Sequence, residues 1–230
     1  MGEFVAVSAF RCAGPEQALD GVRGFLAAHG FGASEVPAGA AVDGDHDVLA
    51  YPSPGGWVVL LWPRYWASPP ASVHVSAQLG TVGSAVTIVG GDYWTHTLLR
   101  DGEILDRFAS MPDYDTDDPA EIVRRSARYA GDAARVAEVL DCPADQVSPY
   151  LVHAMATEHA DKRAPDILLD HADPGPAFPD DEYERDNPWV FVDFWRRIGI
   201  AYPDDVSAFA GRLRLGPGWS GALPSGDAEL

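Results

Sequence analysis

The sequence predicts an α+β protein: an antiparallel sheet with ferredoxin-like βαββαβ order plus an appended hairpin, followed by a helical C-terminal region. Three observations carry this. Strand-like apolar runs and helical periods alternate along residues 3–79. The stretch Gly83 to Phe108 reads as a three-stranded meander, punctuated at Gly90-Gly91 and Asp101-Gly102 by residues that accept positive φ. Beyond Met111 the strand signals give way to helix starts. A sheet domain is therefore expected over residues 1–112, with a mainly helical region, 113–230, packed on it.

The elements follow in order. Residues 3–10 form an apolar run suited to a strand buried on both faces. A helix from Pro15 to His29 has proline in its first turn and Gly30 just past its end, with Leu19, Val22, Phe25 and Leu26 as its inner stripe. Residues 31–46 read as a loop. Strands Asp47–Tyr51 and Trp57–Trp62 flank the turn Pro52-Ser-Pro-Gly-Gly56, and the second, the most apolar strand, should be central. A helix from Pro69 to Leu79 ends at Gly80, although Val73 and Val75 are weak helix formers.

Two-residue turns in the meander would pair Arg100 with Glu103, Leu99 with Ile104, Thr97 with Asp106 and Thr95 with Phe108. They would also pair Ile88 with Tyr93 and Val86 with Thr95. Side-chain alternation then puts Val86, Ile88, Tyr93, Thr95, Leu99, Ile104 and Phe108 on a core face. Thr87, Trp94, His96, Leu98, Leu105 and Arg107 fall on a mixed face. That face is either a binding surface or covered by the C-terminal region, and its large aromatics favour cover. Asp106 falls on the opposite face.

In the second half, Asp118-Pro119-Ala120-Glu121 starts a helix expected to reach Ala130, with aspartate as N-cap and proline at the first helical position. Helices are also expected over Asp132–Leu140 and from Ser148 to His159. An irregular stretch, 161–187, precedes the aromatic helix Trp189–Ile198, capped by Asp186-Asn187-Pro188 and ended by Gly199. A short helix from Pro203 to Arg212 and a loose tail after Leu215 complete the expectation.

Sixteen basic residues stand against thirty-five acidic ones, a net charge of −19. The first hundred residues carry −4 and the remainder −15. Such a field repels nucleic-acid phosphate and anionic lipid and favours cationic partners. Fifteen arginines and one lysine, with abundant alanine, glycine and proline, point to genomic composition rather than recognition chemistry. Apolar residues make up 47% and charged residues 22% of the 230, which suits a folded core rather than a disordered chain. No apolar run approaches the roughly 18–20 residues that span a bilayer. The N-terminus lacks the basic and apolar regions of a signal peptide. Cys12 and Cys142 lack motif spacing and read as free thiols, so a cytoplasmic location is expected.

No Walker A, G-x-S-x-G or G-x-G-x-x-G motif is present, and no cofactor is expected. Asp113, Asp115, Asp117 and Asp118 have the alternation of a calcium loop. The EF-hand template wants Gly at its sixth position and Glu at its twelfth, where this chain has Asp118 and Arg124. The segment therefore reads first as a loop ending in a helix cap. His153, Glu158 and His159 are spaced so that a helix would scatter them, unlike zinc pairs three or four apart. His171 and Asp173 would join such a site only through the fold. Neither cysteine has a neighbouring histidine to activate it.

The run Asp92-Tyr-Trp, Asp101-Gly, Asp106-Arg-Phe and the late Asn187-Pro-Trp189 helix resemble bacterial proteins of a family with no assigned activity. That resemblance implies no functional residues. Two function classes follow from the residues themselves. The first is a non-catalytic acidic protein that engages a basic protein partner, as immunity proteins and toxin inhibitors do. The second is a small-molecule binder or enzyme with a pocket on the Trp94/His96/Arg107 face, joined by Arg64 and Trp66. A face sealed by the Trp189–Ile198 helix would count against the second.

Overall fold

The computed structural model describes residues 3–34, 36, 39–63, 69–153 and 175–219. Its centre is one eight-stranded antiparallel sheet ordered β2-β8-β3-β4-β1-β5-β6-β7. The strands are β1 (Val5–Arg11), β2 (Ala33–Ser34), β3 (Asp47–Ser53), β4 (Trp57–Leu61), β5 (Val82–Val89), β6 (Tyr93–Arg100), β7 (Glu103–Ala109) and β8 (Gly211–Leu215). The helices are α1 (Pro15–Ala28), α2 (Pro69–Leu79), α3 (Pro119–Arg128), α4 (Ala133–Leu140) and α5 (Phe191–Arg197).

Both faces of the sheet are apolar, because strands such as Trp57–Leu61 are hydrophobic at successive positions. On one face Ala6, Phe10, Val58, Leu60 and Leu99 pack with Leu19, Val22, Phe25 and Leu26 of α1 and Val75 of α2. On the other, Val7, Val59, Val86, Ile88, Trp94, Leu98 and Phe108 pack beneath Phe191, Phe194 and Trp195 of α5 and Val136 and Leu140 of α4. Each face buries a serine that binds an indole. Trp62 Nε1 donates to Ser8 Oγ (2.9 Å) on the α1/α2 side, where Ser8 also bonds Ser72 (2.7 Å). Trp195 Nε1 donates to Ser84 Oγ (2.9 Å) on the α5 side.

The meander differs from its expected register at two places. Val89 pairs with Tyr93, so the first loop holds three residues, Gly90, Gly91 and Asp92, rather than two. Ile88 therefore faces Trp94, and Val86 faces His96. The second turn is as expected, with Asp101 and Gly102 at positive φ and Arg100 opposite Glu103. A bulge then interrupts the β6–β7 ladder. Leu99 faces Ile104, but Leu98 faces Asp106, leaving Leu105 as the extra residue. His96 consequently faces Phe108, and Thr97 faces Arg107. A one-residue slip moves side chains to the opposite face, and here the two irregularities re-sort the whole wall.

The C-terminal expectation is corrected at one element. No helix forms over Pro203–Arg212; residues Gly211–Leu215 are a strand that inserts between β2 and β3. Its alternation explains this, since Leu213 and Leu215 are buried while Arg212 and Arg214 point the other way. Both arginines reach the buried carboxylate of Asp47: Arg214 Nε lies 2.8 Å from Oδ1 and Arg212 Nη2 2.5 Å from Oδ2. Burial pushes Asp47 up, but Arg214, the Asp43 N–H and Arg212 together hold it below the usual carboxylate range. The expected helix from Ser148 begins as a turn, and its remainder lies outside the described residues. The Asp118 cap accepts from Ala120 N, as the sequence anticipates for α3, and Asp132, expected as the first residue of the next helix, is instead the N-cap of α4, accepting from Arg135 N.

Asp47→Ala should cost ~3–5 kcal/mol, toward the lower end, because it strips two partly hydrated guanidiniums of their shared carboxylate. Urea unfolding should show a lower midpoint at unchanged m-value. A change below about 1 kcal/mol would mean that β8 is held by its ladder and leucines alone.

Candidate functional site

Strand β6 carries the two side chains that sequence reasoning singled out first. Alternation puts Trp94 and His96 on one face, and they are indeed neighbours. They do not line an opening. His96 is 0% and Trp94 1% exposed. Phe194 of α5 covers both, its ring 5.0 Å edge-on from His96 and 5.7 Å from Trp94, while Phe108 lies 5.0 Å from Trp94. The mixed face is thus a second core face.

The imidazole is tied into a buried chain. Trp195 Nε1 donates to Ser84 Oγ, whose hydroxyl proton is then free to reach His96 Nε2 at 3.0 Å. That assignment makes Nε2 the acceptor and leaves the ring proton on Nδ1. Among the described residues, neither Nδ1 nor the Trp94 indole N–H has a hydrogen-bond partner. Burial lowers the His96 pKa from 6.5 to about 3, so the ring is neutral across ordinary pH. A neutral, enclosed imidazole packed on Phe194 ties α5 to the sheet.

Arg107 does not join this pair. Its partner across the ladder is Thr97, so it belongs to the opposite face. Asp106, placed by the expected pairing on the face away from His96, instead shares His96's face through its pairing with Leu98. Its Oδ1 accepts from Asp132 N (3.0 Å), and burial raises its pKa. Arg64 and Trp66 lie outside the described residues, as do Glu158, His159, His171 and Asp173. His153 stacks on Phe108 and bonds Tyr129 O at 3.2 Å. Burial lowers its pKa as well.

The acidic segment is organised by an arginine. Arg125 pairs with both Asp115 and Glu121, drawing the loop onto α3. Asp113 is buried, Asp117 is exposed, and Asp118 is occupied as N-cap. Among the described residues, no three His, Cys, Asp or Glu side chains are grouped to hold a metal ion. Both cysteines are free, and burial raises both thiols, the opposite of an activated nucleophile.

Four further arginines are similarly engaged. Arg197 pairs with Asp180 (2.5 Å) and Asp181 (2.6 Å) and lies over Phe178, while Arg196 reaches Asp181 and Asp193. Tyr150 OH donates to Asp181, closing a network that fastens residues 178–181 to α5. Arg11 and Arg100 donate to the terminal carbonyls of α4, Leu140 O (3.3 Å) and Val139 O (3.1 Å). Sequence reasoning missed Ser84, Asp47 and Asp181, since an isolated serine or aspartate carries no spacing signal.

His96 makes stability pH-dependent with a definite sign. The unfolded histidine takes up a proton below about pH 6.5, whereas the buried ring resists until about pH 3. Unfolding is therefore favoured as pH falls through that window. Between pH 7 and pH 5 this one group should remove ~2 kcal/mol. Urea melts of the wild type and His96→Gln at the two pH values should show that the variant lacks this share of the loss. Equal losses would show that the ring is not held neutral. Compared with known proteins, the chain matches no family model, no curated protein and no solved structure.

Proposed function

We propose that the chain is a non-catalytic, acidic binding protein that captures a basic protein partner, in the manner of an immunity protein or inhibitor. The observation that carries this is the disposition of charge. Seven arginines are engaged by partners within the fold: Arg212 and Arg214 by Asp47, Arg196 and Arg197 by Asp180, Asp181 and Asp193, Arg125 by Glu121 and Asp115, and Arg11 and Arg100 by carbonyls of α4. Glu103, Glu138, Asp145, Glu184, Asp186 and Asp204 stand exposed without an ion pair among the described residues. These exposed carboxylates belong to a chain of net −19, and such an acidic excess accelerates encounter with a cationic surface. The pocket reading finds no comparable support, because Trp94 and His96 are sealed beneath α5.

We read the scaffold as a ferredoxin-like unit, β1-α1-β3-β4-α2-β5, extended by the β6–β7 hairpin on one side and by β8 and β2 on the other. The adjacency β3-β4-β1-β5 supports that reading. Two free cysteines agree with a reducing, cytoplasmic setting.

The test is direct binding. Labelled protein titrated with cytochrome c or lysozyme should associate at roughly 20 mM salt and weaken at least about tenfold at roughly 300 mM. Polyglutamate of matched charge should compete poorly, since it lacks a shaped surface. Absence of association at low salt, indifference to salt, or full competition by polyglutamate would each remove the proposal.

A further inference from the structure

At one end of the sheet, two acidic side chains lie between aromatic ones, in the order Tyr114, Asp92, Glu3, Trp189 and Tyr202. Tyr114 OH donates to Asp92 Oδ2 at 2.6 Å, on the three-residue loop between β5 and β6. The next residue back, Gly91, has φ +82, and a Cβ there would lie 3.4 Å from the backbone nitrogen of Glu3. The positive φ favours glycine here, and it brings the loop into van der Waals range of the start of β1. Glu3 Oε2 in turn accepts from Trp189 Nε1 at 3.1 Å. The Trp189 ring meets Tyr202 edge-on at 5.7 Å. Burial, with Tyr51 and the Glu3 carboxylate nearby, pushes the Tyr202 hydroxyl up to about 12.

Trp189 and Tyr202 are half-buried, and Glu3, Asp92 and Tyr114 are exposed. The aromatic groups are held in place. Asn187 caps the turn Pro188–Val190 by accepting from Trp189 N (2.9 Å), and the indole tilts against Phe191 at 5.7 Å. Neither Glu3 nor Asp92 has a cationic partner among the described residues. Arg125, near the Tyr114 end, is taken by Asp115 and Glu121. Arg11 and Arg100 terminate β1 and β6 at the far end of the sheet, where they bind α4. The two ends thus differ in sign as well as in shape.

We propose that this ridge, Tyr114, Asp92, Glu3, Trp189 and Tyr202, is the docking surface for an arginine-bearing loop of the basic partner, an inference that rests on the acidic-capture reading above. A guanidinium is suited to it for two reasons. Its plane stacks on tryptophan and tyrosine faces, and its fork pairs with carboxylates in two-pronged fashion. A lysine ammonium offers a point charge only. Fixed aromatics at the centre of an interface also lose little freedom on binding, the property of strong anchor residues.

Fluorescence anisotropy with labelled nona-arginine and nona-lysine peptides tests this at roughly 20 mM salt. The wild type should prefer the arginine peptide by about threefold or more. Glu3→Gln with Asp92→Asn, and separately Trp189→Leu, should each weaken arginine-peptide binding about tenfold. Trp189→Leu should also erase the preference over lysine. The control, Asp101→Asn with Asp141→Asn, removes the same charge at the far end of the sheet, where both side chains are exposed, and should stay within about twofold. Thermal melts of each variant verify that it is folded, and the exposed Glu3/Asp92 pair serves if Trp189→Leu fails that check. Wild-type binding with equal losses in ridge and control variants would overturn the ridge while leaving acidic capture intact. No wild-type binding to either peptide would overturn both.

Discussion

Everything in this fold depends on a sheet that is apolar on both faces and must be covered twice. The central strands β1 and β5 illustrate the constraint. Ala9 faces Ser84 and Ser8 faces Ala85, so two buried serines sit on adjoining strands and point to opposite sides. Each accepts an indole N–H, from Trp62 on one side and from Trp195 on the other. A buried hydroxyl without a partner is costly, so each serine specifies its cover as well as tolerating it. The first cover, α1 and α2, comes from the chain between the strands. The second arrives only with α5, more than a hundred residues after β1.

That second cover decides the chemistry. A histidine, a tryptophan and an arginine read along one meander suggest a pocket. With α5 in place, the histidine becomes a neutral core residue and the arginine faces away. The exposed acidic and aromatic groups lie instead at the sheet end. There the short loop at Gly90–Asp92, the start of β1 and the turn before α5 meet, and acidic and aromatic groups from distant parts of the chain form one surface.

Much of the scaffold was legible in the residues. The inner stripe of α1, the span Pro69–Leu79, the caps at Asp118 and Asn187 and the Asp101-Gly102 turn follow from local rules, and each appears as expected. The candidate site was legible only as a neighbourhood. Trp94 and His96 do lie together, because alternation along one strand is local. The three-residue loop and the bulge at Leu105 were not legible, since Gly-Gly fits loops of either length and a bulge leaves no signature in Glu103–Ala109.

By itself, the sequence determined the α+β class, the positions of most helices, the apolar runs of the first and fourth strands and the large negative charge. Those properties are set by side chains near one another along the chain, or by simple summation. Only the tertiary structure decided which residues share a face, that Gly211–Leu215 is a strand rather than a helix, and that α5 closes over His96. It also brought Glu3, Asp92 and Trp189 together. These outcomes depend on register and on contacts between segments far apart in sequence, where a shift of one residue reverses a side chain's direction and no local preference chooses between the alternatives.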